Sequence, residues 1–122
     1  MKKIFLVTLL ASIILQGCNT VTNMDSLLEE DVKSISIQDG ETGEIVDLKN
    51  KDDVTELKAF LQNIELEKVK DMDIKGFQYQ ISLKSKDDEI GIVFTDEYII
   101  VNEEYYKAVE KVEMNTLHKY FE

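Results

Sequence analysis

The sequence predicts an α+β fold of two layers, in which one antiparallel sheet carries helices on one face. Three patterns in the 122-residue chain predict it. Residues 77–109 alternate apolar and polar side chains in four short runs separated by turns of two or three residues, which is the pattern of a four-stranded meander. Residues 50–64 switch to a spacing of three and four, which is one stripe of a helix. Residues 32–49 read as a β-hairpin closed by "DGETG".

In the hairpin, Ile35 and Ile37 share one face of the first strand, and Val46 and Leu48 share one face of the second. The two glycines of the intervening turn supply backbone freedom that other residues lack. In the helix, Val54, Leu57, Phe60, Leu61 and Ile64 form the apolar stripe. Asp52 or Asp53 is expected to cap its start, and the Asp53–Glu56 spacing suits a capping-box variant. Residues 65–75 break both periods and are expected to hold a short irregular strand and a charged loop.

The meander follows. Phe77, Tyr79, Ile81 and Leu83 lie on one side of its first strand, and Ile90, Ile92 and Phe94 line the second. Turns are expected at 86–88, 96–97 and 103–104. The outward face is expected to carry Gln78, Gln80, Ser82, Lys84, Val93 and one of Tyr98 or Tyr105. Met114, Leu117 and Phe121 then recur at helical spacing and predict a short C-terminal helix.

The N-terminus reads differently. Lys2 and Lys3 precede an apolar run from Ile4 to Leu15. A membrane-spanning helix needs about 20 apolar residues, so this run suits the apolar region of a signal peptide. It ends at Leu15-Gln16-Gly17-Cys18, and Cys18 is the single cysteine of the chain. One cysteine forms no internal disulfide, and a surplus thiol in an exported chain needs a purpose. The expected organisation is a leader over 1–17, an end point that the resemblance of Leu15-Gln16-Gly17-Cys18 to the lipobox of bacterial lipoproteins implies, then a polar tether over 18–31 and one α+β domain over 32–122. An ordered N-terminal segment is the competing reading of the tether.

Charge narrows the classes of partner. The chain carries −11, which becomes −13 once Lys2 and Lys3 leave with the leader, and all 14 of its basic residues are lysine. Such a chain is repelled by nucleic acid and by anionic lipid. Candidate chemistry is sparse. His118, the only histidine, sits on the terminal helix with no nucleophile motif to serve, and it reads as a surface or partly buried residue. Residues 71–82 open like a calcium loop with Asp71, Asp73 and Gly76, but Lys75 occupies a ligand position and Ser82 stands where a glutamate is required. The acidic turns at 86–89 and 102–104 read as solvated. The tyrosines read as sheet packing with wet hydroxyls. No catalytic residue, metal ligand or cofactor is expected.

Leu15-Gln16-Gly17-Cys18 resembles the lipobox of bacterial lipoproteins. The resemblance implies that the Cys18 thiol receives a diacylglyceryl group and becomes the first residue of the mature chain. Two acyl chains suffice for stable anchoring. The segment "YIIVNEEYY" at 98–106, together with the layout of the chain, resembles an uncharacterised group of small Gram-positive lipoproteins, which brings no activity and no functional residue beyond Cys18. The expectation is a non-enzymatic binding or accessory protein on the extracytoplasmic face of the cell membrane. Its partner would be an envelope or secreted protein reached through the open sheet face or an edge strand. An immunity- or inhibitor-type lipoprotein and a small-ligand or cation carrier are the alternatives. A carboxylate hydrolase is a further one, which a cleft holding two strongly shifted carboxylic acids would favour.

Overall fold

A computed structural model describes residues 21–28, 31–71 and 73–122. The leader and Cys18 lie outside the described residues. The chain adopts a sheet-rich α+β fold. In order it forms β1 (Val21–Asn23), a 3-10 turn (Met24–Leu27), β2 (Val32–Asp39), β3 (Ile45–Leu48), α1 (Lys51–Gln62), β4 (Glu65–Lys68) and β5 (Tyr79–Ser85). There follow β6 (Glu89–Phe94), β7 (Ile99–Val101), β8 (Glu104–Ala108), α2 (Asn115–His118) and a closing 3-10 turn (Lys119–Phe121).

Among the described residues all eight strands join one antiparallel sheet in the order β1-β4-β8-β7-β6-β5-β2-β3. Strands β5 to β8 are the expected meander, each paired with the next. The β2–β3 hairpin joins it through β2 and β5, where Ile35 and Ile37 stand opposite Leu83 and Ile81. Alternation then places Ile35, Ile37, Ile81, Leu83, Ile90, Ile92 and Phe94 on one face, all buried. Val54, Leu57 and Leu61 of α1 and Leu117 of α2 belong to the same core. Burying a side chain of this size contributes about 1.5–3 kcal/mol, so the three α1 residues outweigh the helix's own marginal propensity.

The ends of α1 differ from expectation. Asn50 is the cap, and its side chain accepts a hydrogen bond of 2.8 Å from the Asp52 N–H. Asp52 and Asp53 occupy the first turn, where their charge favours the positive end of the helix dipole. Asparagine caps as well as aspartate does, and the cap lies two residues ahead of Asp52.

The reach expected as a tether is partly folded. Val21, Thr22 and Asn23 pair with Glu67, Leu66 and Glu65. Met24 is 0 % exposed, and its N–H donates to the Ile64 carbonyl at 2.9 Å. Leu27 and Leu28 pack against the core. The folded body therefore begins at Val21, ahead of the expected boundary at residue 32.

Two turns fix the hairpins. In the β2–β3 turn the buried Asp39 carboxylate accepts from the N–H groups of Glu41 (2.8 Å) and Thr42 (3.3 Å), and Gly43 takes φ +78°. Gly40 packs so tightly that an added Cβ would stand 1.8 Å from the Phe77 carbonyl oxygen. Strands β7 and β8 turn at Asn102 and Glu103, both at positive φ, rather than at 103–104. Two consecutive positive φ angles match the twist of a two-residue hairpin. Glu104 is thereby the first residue of β8 and pairs with Val101.

Candidate functional site

The chemistry-bearing residues singled out in the sequence do not converge. His118 is exposed on α2, with its Nδ1 3.5 Å from the Tyr79 hydroxyl. Asp71, Asp73 and Gly76 lie in the irregular stretch between β4 and β5, while Ser82 is already within β5. Among the described residues, no three or more His, Cys, Asp or Glu side chains are grouped to hold a metal ion. Glu89 accepts a hydrogen bond from Ser82, and Gln78 donates to Asp96 at 2.7 Å, so two of the turn acids serve the fold.

The open face of the sheet is where outward residues do come together. Register places Ile45, Gln38, Gln80, Val93, Ile100 and Tyr105 opposite one another in a single row across six strands. At about 4.8 Å per strand the row is roughly 24 Å long. Val93, Ile100 and Tyr105 are half-buried and adjacent, forming an apolar block, and the two glutamines separate it from Ile45, which is 60 % exposed. The neighbouring row is Asp47, Ser36, Ser82 and Gly91. Its side chains are short, and a Cβ on Gly91 would meet nothing within 4 Å. The Asn102 side chain accepts from the Gly91 N–H at 3.2 Å, and the Asn102 N–H donates to the Gly91 carbonyl at 3.0 Å. A low strip thus runs beside the apolar block.

Gln80, Ser82, Lys84, Val93 and Tyr105 lie on this face as expected. Tyr98 instead stands in the β6–β7 turn, and Gln78 precedes β5. Both line an open cleft of about 430 Å³ between residues 73–78 and 95–98. Ile45 and Ile100 were missed in the sequence. Register would have revealed Ile100, because it follows once Val93 is outward and the 95–98 turn is counted correctly.

The sheet also has an open edge at β3. The Asp39 N–H donates to the Glu44 carbonyl, so alternate pairs beyond it, Ile37–Val46 and Ile35–Leu48, share the ladder bonds. The backbone groups of Ile45 and Asp47 therefore point outward. An edge of this kind accepts an added strand.

Lys68 is raised above its usual value by a hydrogen bond to Glu104, to which it is paired at 2.7 Å. Burial, then the charges of Asp39 and Glu41, raise Tyr79; burial, then Asp53, raise Tyr120. Compared with protein-family models, curated proteins and solved structures, the chain gives no match. The class defined by fold and surface is a sheet-rich α+β protein with an open sheet face.

Proposed function

We propose that this chain is a lipid-anchored, non-enzymatic binding or accessory protein on the extracytoplasmic face of the cell membrane. Its partner is an envelope or secreted protein. The observation that carries the reading is Leu15-Gln16-Gly17-Cys18 at the end of a short apolar run, with Cys18 the one thiol of the chain. The anchor on Cys18 concentrates the protein in two dimensions, so a contact of modest affinity suffices. Both helical segments cover one face of the sheet in this reading, which leaves the other for the partner. The Val93–Ile100–Tyr105 block supplies apolar area there, and the glutamines and serines beside it supply hydrogen-bonding groups.

Two experiments test the reading. A Cys18→Ala variant leaves the membrane fraction; retention in membranes would overturn the anchor. A photo-crosslinker at Ile100 on intact cells gives one discrete adduct that an Ile45→Lys, Val93→Lys double variant loses. Adducts that persist unchanged in the double variant would remove the open face from the account.

A further inference from the structure

We infer that the corner of the sheet formed by β1 and the Lys68–Asp71 stretch lies against the lipid head groups, held there by bond length rather than by charge. This inference rests on acylation of Cys18. Its basis is the folded start of the chain. Val21 is fixed by pairing with Glu67, and Met24 by complete burial and its hydrogen bond to Ile64. Only Asn19 and Thr20 separate Cys18 from Val21. Three Cα–Cα steps of 3.8 Å span at most about 11 Å. The head-group layer of one leaflet is itself roughly 5–8 Å deep. An acylated Cys18 therefore keeps Val21 within a short reach of the head-group layer, whereas a tether of a dozen flexible residues would have allowed about 20 Å.

The residues carried to the surface with Val21 follow from the register. β1 lies at the sheet edge on β4, and β4 runs on into Lys68–Asp71. Lys68 bridges to Glu104, next to the Asn102–Glu103 turn. This corner interleaves Lys68 and Lys70 with Glu67, Asp71, Glu103 and Glu104. Its mixed signs give anionic lipid little to attract, so the contact has to come from the covalent link. The β2–β3 turn at 40–44 lies six to seven strands across from β1 and at the opposite end of the sheet from the Asn102–Glu103 turn. By strand spacing it stands roughly 30 Å from Val21.

The test uses the full-length acylated protein in vesicles of zwitterionic lipid with a minor anionic fraction and nitroxide on the head groups. A fluorophore is placed on Lys70→Cys or on Glu41→Cys; both side chains are exposed, and the acylated Cys18 is not labelled. Quenching several-fold stronger at position 70 than at 41, and unchanged in molar salt, is the expected result. Equal quenching at the two positions overturns the inference, and so does a contrast that salt abolishes, because a charge-held patch releases at a Debye length of about 3 Å. A Gly/Ser insert of about 20 residues between Thr20 and Val21 removes the contrast, since such a chain reaches about 25 Å. Persistence of the contrast with the insert would show that the corner binds lipid by itself. Vesicle flotation separates the two levels of failure. Protein that does not float refutes the anchor and this inference together; protein that floats without the contrast refutes this inference alone.

Discussion

The two faces of one sheet behave as different materials, although their residues alternate along the same strands. Ile92 and Val93 are chain neighbours. Ile92 is 0 % exposed in the core, while Val93 looks outward beside Gln80 and Ile100. Residues of the inner face share one core with Val54, Leu57 and Leu61 of α1, Leu117 of α2 and the buried Met24. The open face gathers apolar and polar side chains in rows that stay outside the core. Stability and recognition are thus separable by parity of position, which makes the surface free to be tuned for a partner.

Substitutions at these neighbours should break the symmetry most. Ile92→Ala leaves a cavity and is expected to cost about 2–5 kcal/mol in denaturant unfolding. Val93→Ala on the other face should cost no more than about 1 kcal/mol. Equal losses would contradict the assignment of faces.

Two glycines sharpen the same contrast at smaller scale. Gly40→Ala drives a Cβ into the Phe77 carbonyl, and a cost of about 1–3 kcal/mol is expected from the forced shift. Gly91→Ala projects into open space on the outer face and, by restricting the unfolded chain, should stabilise by about 0.4–1 kcal/mol. Thermal unfolding of the two variants should move in opposite directions.

Alkaline pH probes the closed side. Tyr79 and Tyr120 have folded pKa values raised above the ordinary 10.0, so the fold favours their neutral form. Their contribution is fully present below pH 10 and is lost as pH climbs through the raised values. Tyr79→Phe, which keeps the ring near Phe121 (6.0 Å between centroids), should flatten part of that decline. An unchanged profile in a Tyr79→Phe, Tyr120→Phe double variant would refute the coupling. The smallest effect is at the β7–β8 turn. Glu103→Gly relieves a positive φ of 72°, a gain set against glycine's greater entropy loss, for a net stabilisation below about 1 kcal/mol by chemical denaturation.

The legibility of the sequence followed the same division. The meander, the helix and the closed face were readable because Ile81, Leu83, Ile90 and Ile92 alternate and Val54, Leu57 and Leu61 recur at helical spacing. β4 was ambiguous because Leu66 is its only apolar residue; its pairing with β1 on one side and β8 on the other makes it a strand. β1 was hidden for a related reason, since Val21–Asn23 is short and a single buried residue, Met24, ties it down. The Asn102–Glu103 turn lacks the glycine that marks most such hairpins, and the adjacent acids at 103 and 104 drew the turn one residue too far. The open-face row was legible only in part, because register across six strands depends on every turn length being right.

Membrane attachment through Cys18 is the claim on which the rest of the functional account depends. The direct measurement is intact mass and N-terminal peptide analysis of the protein matured in its own membrane. The account predicts a chain that starts at Cys18 and carries a diacylglyceryl mass on its sulfur. A free thiol at Cys18, or a chain still joined to residues 1–17, would contradict it.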